Sequence, residues 1–390
     1  MERSAELARE AIRRCRLLAA CTEQPGHITR AFLSPPMHEA HRMVRAWMEG
    51  ARMEVRVDAA GNVRGLFGSG PRLLIGSHLD TVPDAGAYDG ILGVMLGIAL
   101  VECQPPCAVE VVAFSDAEGV RFGMPFLGSL AMVGTPVMDA PVLDAIRAFG
   151  LDPALLPEAA IDAGVRGFLE IHIEQGAELA GVKRRLGAVA TVAGQSRAAV
   201  RFAGKANHSA TTPMDARRDA LTAAAEWIVS VEALARATRG LMATVGRVDV
   251  EPGAPNVIPG AVRATADVRH ARDAVRIEAT KHLRAQAQSI AQARQIACDW
   301  RALCDETTTP MDHAMVEALG AAIRSAGCPD HRMLSHACHD AMILARKVPA
   351  AMLFVRTPNG VSHHPDETVL ADDVEAALNV GVKFLENWDR

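Results

Sequence analysis

The run RLLIGSHLDTVPDAGAYDGILGVMLGIALVECQPPCAVEVVAFS, residues 72–115, decides the fold class. Its two ends, Arg72 to Ser77 and Val109 to Ser115, are apolar, β-branched stretches of the length expected for strands buried on both faces. Between them, Gly90 to Glu102 reads as a helix packed on the sheet. Strand, helix and strand in that order point to a βαβ architecture around a mainly parallel sheet. The alternation returns late in the chain, with a strand over Ala350 to Arg356 and a helix over Ala371 to Trp388.

The region between these halves has a different rhythm. From near Gly194 to near Cys304 it reads strand (Ala198 to Phe202), long helix (Pro213 to Thr238), two strands (Met242 to Val250 and Val262 to Val268), long helix (Arg272 to Arg294) and strand (Ala297 to Leu303). That βαββαβ order is the ferredoxin-like split unit. Pro213 falls where a first helical turn tolerates proline, and Pro252, Gly253, Pro255, Pro259 and Gly260 punctuate the connection between the central strands. The expected architecture is one discontinuous α/β domain, residues 1–193 and 305–390, interrupted by an inserted ferredoxin-like α+β domain, residues 194–304.

Composition narrows the function. The chain has 390 residues, with 41 Lys+Arg against 46 Asp+Glu, a net charge of −5 that gives no electrostatic reason to expect nucleic acid or an anionic membrane as partner. A length of 390 residues predicts two or three domains. Aromatic residues make up 4% of the chain, which argues against a stacking platform for bases or sugars. The N-terminal stretch is an amphipathic, charge-laced helix without the apolar core of a signal peptide, and no run of 18 apolar residues occurs, so a soluble, cytoplasmic protein is expected. Eight scattered cysteines without a CxxC are read as reduced thiols.

Fourteen histidines remain, and several stand at predicted strand ends. His78 and Asp80 follow the first strand, at the edge where open α/β sheets place ligands. One nitrogen of His78 can bind a metal while a nearby carboxylate fixes its tautomer, and Asp89, before the next helix, can bridge two cations. Asp116 and Glu118 follow the second strand, where an acidic turn capping a helix would read the same way. His172 lies in the strand Phe168 to Ile173, where a lone histidine is equally a core residue. His363 and His364 follow the late strand. Convergence carries the argument: His78, Asp89, Glu118, His172 and His363 make an N/O donor set suited to two divalent ions, Zn²⁺ first, with Mn²⁺, Co²⁺ or Ni²⁺ as alternatives.

GSHLDTV, the following DG, SDAEG with RFG behind it, LEIHIEQG, NHSATTPMDARRDAL, PNVIPG, DVRH, CHDA and GVSHHP occur in order over residues 76–365. Together they resemble the amidohydrolase branch of the M20 metallopeptidase family: N-carbamoyl-L-amino acid hydrolases, β-ureidopropionases and allantoate amidohydrolases. The resemblance implies a hydrolase of a linear amide or ureido C–N bond in a small, carboxylate-bearing substrate. It implies two metal ions on His78, Asp89, Glu118, His172 and His363 with Asp89 bridging, and Asp80 orienting His78. It implies that 194–304 is a lid through which two copies form a homodimer, with Gln195, His208, Asn256 and Arg269 contacting substrate. His339 and Asp340 are expected behind the metals, and His364 as a bystander. For Arg269, the planar guanidinium matches a carboxylate; for His208 the implied role is to donate to the developing oxyanion. AGQSR leans toward allantoate-type members and YDGILGV fits several carbamoylases. An aminoacylase or dipeptidase of the same clan is the alternative; a nucleotide-binding α/β protein is excluded because no glycine-rich phosphate loop follows the first strand.

One position departs from that pattern. The family has two glutamates before the glycine, the first a general base and the second a metal ligand; this chain has Ala117 in the first place. Alanine accepts no proton, so an impaired or substrate-trapping form with metal and substrate sites retained is expected. Three accounts are open: an engineered exchange of glutamate for alanine, a natural binding protein that does not hydrolyse, and an active enzyme in which Asp116 or another group substitutes.

Overall fold

The computed structural model describes residues 2–135 and 139–388. The chain divides into two compact units, one of Met1–Ala190, Pro310–Met333 and Ala337–Arg390, the other of Thr191–Thr309 with Leu334–His336. The second unit begins a few residues before 194 and runs past 304, where the last strand of its sheet, Ala297–Glu306, continues beyond its apolar part.

The sheet of the first unit runs in the order Glu54–Val57, Val63–Phe67, Ala108–Phe114, Arg72–His78, Val165–Ile173, Ala350–Val355, Leu186–Val192. Its four central strands, Ala108–Phe114 to Ala350–Val355, are parallel, and antiparallel strands flank them. The apolar runs are central because they are covered on both faces: Arg72–His78, Ala108–Phe114 and Ala350–Val355 are buried at every residue. Helix Ile91–Glu102 lies on this sheet, with helices Glu2–Ala19 and Ala371–Glu386 packed against it in turn. It is apolar all round, as a helix between two layers must be. Gly93 allows the close approach: a Cβ there would stand 1.9 Å from the Ile171 carbonyl oxygen.

The second unit carries a four-stranded antiparallel sheet in the order Ala297–Glu306, Gly194–Ala203, Ala261–His270, Met242–Glu251. Counted along the chain this is 4-1-3-2, the ferredoxin-like arrangement. Helices Ala220–Ala237 and Asp273–Ala293 pack on the sheet around Trp227, Phe202, Val262 and Leu283. The buried Trp227 indole donates to the Leu283 carbonyl at 3.0 Å. Most elements lie within a few residues of the ranges read from sequence, but the helix predicted from Pro213 begins at Ala220. Asp219 caps it, accepting the N–H groups of Leu221 and Thr222 at 2.9 and 3.1 Å, and Pro213 instead precedes a short 3₁₀ turn, Met214–Ala216. Among the described residues, no helix is long and apolar enough to cross a membrane.

Asp219→Ala is therefore expected to cost about 1 kcal/mol of stability in urea unfolding, and Pro213→Ala to stay within about 0.5 kcal/mol. The reverse ranking would show that the helix starts at the proline.

Candidate active site

Four adjacent parallel strands deliver side chains to one edge of the first sheet. Arg72–His78 ends on His78, Val165–Ile173 carries His172 one residue from its end, Ala108–Phe114 leads into Asp116 to Glu118, and Ala350–Val355 leads into the loop bearing His363. Asp89 arrives on the turn before Ile91–Glu102. Gly90 follows it with φ +70°, and a Cβ there would lie 2.5 Å from the His78 ring. The Asp-Gly pair is thus set by packing as well as by chemistry.

These five residues form two overlapping groups, His78, Asp89, His172 and Asp89, Glu118, His363, each with its donor atoms within 4.8 Å of one another. Asp89 belongs to both. Its Oδ1 lies 3.3 Å from His172 Nε2 and its Oδ2 lies 3.0 Å from His363 Nε2, which is in turn 3.4 Å from Glu118. His78 and His172 present their Nε2 atoms to each other at 3.4 Å, while their Nδ1 atoms face the carbonyls of Asp80 and Ile173 at 3.0 and 2.9 Å. With Nδ1–H donating to those carbonyls, both Nε2 lone pairs converge, an arrangement reconciled by a proton on one ring or by a cation between the two. Together with the carboxylate placed astride both groups, this donor set fits two divalent ions sharing Asp89.

The three histidines differ in charge: against the cost of burial, the hydrogen bond and charge of Asp80 hold His78 well above the ordinary imidazole value. Burial pushes the His172 imidazole down to about 4, keeping it neutral and able to ligate. Hydrogen bonds to Asp89 and Glu118 push His363 up to about 10. Burial disfavours the ionised form of Asp89, yet the His363 hydrogen bond and the nearby imidazoles of His172 and His78 hold it well below the usual carboxylate range. His363 is the most open of the five ligand candidates, at 44% side-chain exposure.

Asp80 works beneath this group. Its carbonyl accepts from His78, its Oδ1 lies 3.3 Å from the same Nδ1, and its two oxygens accept the backbone N–H groups of Ala117 and Glu118 at 2.9 and 3.0 Å. It therefore fixes both a candidate ligand and the turn that carries another. The His339 ring stands edge-on to His172 at 4.6 Å between centroids, and Asp340 is fully buried nearby, its carboxyl pushed up to about 7 by burial. Glu170, His172 and His339 form a further compact group. His364 is exposed and accepts from the N–H of Asp366.

Two residues of this neighbourhood were not singled out from sequence. The Gln175 amide reaches both Asp89 oxygens at 3.2 Å and His363 Nε2 at 3.0 Å; its signal was present, three residues after His172. Glu367 accepts the N–H groups of Tyr88 and Asp89 at 2.8 and 3.0 Å, holding the bridging residue's backbone from a point 278 residues away. No local pattern marks such a contact.

The residues expected to touch substrate lie in the second unit and form two pairs. Gln195 and Arg269 are directly opposed across neighbouring strands. His208 and Asn256 are joined by a small two-stranded ladder in which His208 opposes Val257 and Ser209 donates to the Asn256 carbonyl at 3.0 Å. His208 Nδ1 accepts the Ala210 N–H at 3.1 Å, which in the neutral ring leaves the proton on Nε2.

Residues 74–387 match the family described as Peptidase family M20/M25/M40. The chain belongs to that family, as its sheet-edge histidines and carboxylates already indicated. It is 36% identical to an allantoate deiminase of Arabidopsis thaliana, over 97% of this chain and 82% of that protein. It is also 36% identical to an N-carbamoyl-L-amino acid amidohydrolase of Geobacillus stearothermophilus, over 92% and 93%. The crystal structure of AtUAH in complex with (S)-hydroxyglycine superimposes with a TM-score of 0.87 at 28% identity, covering 97% of each chain.

Removing the support beneath the ligands should show in metal affinity. Asp80→Ala is expected to weaken binding of Zn²⁺ or Mn²⁺ by about 10- to 100-fold in competition with a chromophoric chelator; unchanged affinity would assign Asp80 to the loop alone.

Proposed function

We propose that the chain holds two divalent ions on His78, Asp89, Glu118, His172 and His363 and binds a small substrate with a ureido or amide C–N bond and a carboxylate, of the N-carbamoyl-L-amino acid or allantoate type. The observation that carries this reading is Asp89, one carboxylate facing two histidines of two donor groups. Equal identity to an allantoate deiminase and a carbamoyl amino acid amidohydrolase supports the chemistry common to both, a ureido group and a carboxylate. Zn²⁺ suits three imidazoles and two carboxylates best, with Mn²⁺, Co²⁺ or Ni²⁺ as alternatives. When bound, such ions supply Lewis acidity at the carbonyl and a water of lowered pKa. On the sequence resemblance alone, we add that the second unit serves as lid and homodimer contact and that the protein is cytoplasmic.

The chain's own residues divide the remaining work. Arg269 and Asn256 bind the carboxylate, with Gln195 beside Arg269. His208, with its proton on Nε2, donates to the carbonyl oxygen as negative charge builds there. Hydrolysis also needs a group that takes a proton from the attacking water and gives one to the departing nitrogen. Residue 117 is alanine and offers none. Asp116 is a poor substitute on geometry: it is buried and its carboxylate faces the Leu127 N–H at 3.5 Å. We therefore read the protein as one that binds its substrate and turns it over slowly.

Ala117→Glu is expected to raise ammonia release from N-carbamoyl amino acids or allantoate by about 10²- to 10⁴-fold, the usual worth of a positioned acid/base. A gain below about tenfold would favour a protein that only binds. Arg269→Ala should weaken binding of the same compounds by about 10- to 100-fold in calorimetric titration; unaltered affinity would remove Arg269 from the site.

A further inference from the structure

The second unit contains one carboxylate, Asp267, on which two arginines and a glutamine converge. Arg269 donates to it through Nε, at 2.8 Å to Oδ1, and through a terminal nitrogen, at 3.2 Å to Oδ2. Gln195 Nε2 donates to Oδ2 at 2.5 Å, and Arg197 to the same oxygen at 2.9 and 3.1 Å. The other terminal nitrogen of Arg269 donates to the His336 carbonyl at 2.7 Å. Asp267 itself is more than three-quarters buried.

We infer that Asp267 is the positioning residue that makes Gln195 and Arg269 a single receptor for the substrate's carboxylate end. The inference rests on the reading that these two residues bind substrate. Three observations support it. Asp267 and Arg269 are two residues apart on one strand, so their side chains share a face. Gln195 stands opposite Arg269 on the neighbouring strand, so one carboxylate between the strands reaches both. An ionised carboxylate only accepts hydrogen bonds, so Asp267 takes the NH₂ end of the Gln195 amide and decides which way that amide is turned.

The contribution is preorganisation. An arginine side chain free in solvent has many rotamers to lose when it grips a ligand, whereas one clamped along its Nε edge and at a backbone carbonyl has already lost them. Asp267 also cancels one of the two adjacent guanidinium charges. Its removal would strengthen the local positive field but leave Arg197 and Arg269 repelling each other and the Gln195 amide unoriented. We assign the larger effect to geometry, because planar bidentate recognition fails with small rotations.

The test uses the metal-loaded protein with its Ala117 intact, so that ligands bind without fast turnover, and follows binding of N-carbamoyl-L-alanine and its neutral carboxamide by calorimetry. Asp267→Asn is expected to weaken the carboxylate ligand about tenfold, to affect the carboxamide less than threefold, and to have a markedly smaller effect in an Arg269→Ala background, where only the Gln195 amide is left for it to position. Asp267→Glu, which keeps the charge but displaces the clamp by one methylene, should lower affinity in the same selective way and serves if Asp267→Asn does not fold. Unchanged or tighter carboxylate binding in the foldable variant would overturn the inference, as would an equal loss with and without Arg269. If Arg269→Ala alone leaves affinity intact, the reading of the substrate site fails first, and the two failures are told apart.

Discussion

Asp89 places one buried negative charge between His172 and His363, which belong to two donor groups, and the architecture of the first unit serves that placement. A carboxylate with its oxygens committed to different imidazoles cannot be moved without breaking both groups. Its backbone is held by Glu367, its turn is shaped by Gly90 against the His78 ring, and its oxygens are reached by Gln175. The surroundings are acidic: Asp80, Asp116, Glu170 and Asp340 are all buried nearby. So many ionisable groups in one interior are costly unless cations neutralise part of them. Divalent ions at the candidate site would do so, and the fold of the first unit is intelligible as a scaffold for holding them.

Much of this candidate site was legible in the sequence because its residues sit at or after the ends of apolar runs. A strand buried on both faces is conspicuous, and a histidine or carboxylate just after it falls at the sheet edge almost by necessity. Hence His78, Glu118, His172 and His363 were readable before any coordinates. Glu367 was not, since its partners are nearly 280 residues away and its own neighbourhood has no periodic signal. The start of helix Ala220–Ala237 was misplaced for a related reason: Pro213 is compatible with a first turn, but the Asp219 side chain supplies the actual cap. A local preference yielded to a specific hydrogen bond.

The second unit shows the same division. Its βαββαβ order was plain from periodicity, and the register that sets Gln195 opposite Arg269 follows from the sheet. That Asp267 ties the two together is visible only in three dimensions, because Gln195 lies on another strand more than seventy residues earlier. Position 117 is the opposite case. There the sequence speaks most clearly, since no packing or hydrogen bond can lend alanine a proton acceptor. The chain thus combines a set of candidate binding groups with alanine at the position proposed for the acid/base, and slow turnover on a retained substrate is the reading we propose from that combination.

The most direct test of that combination is a crystal structure of the metal-loaded protein grown with an N-carbamoyl-L-amino acid and refined against anomalous data. The account predicts two ions sharing Asp89 and an uncleaved ureido compound whose carboxylate meets Arg269. Ions elsewhere, for example on Glu170 and His339, or a ligand bound away from Arg269, would contradict it.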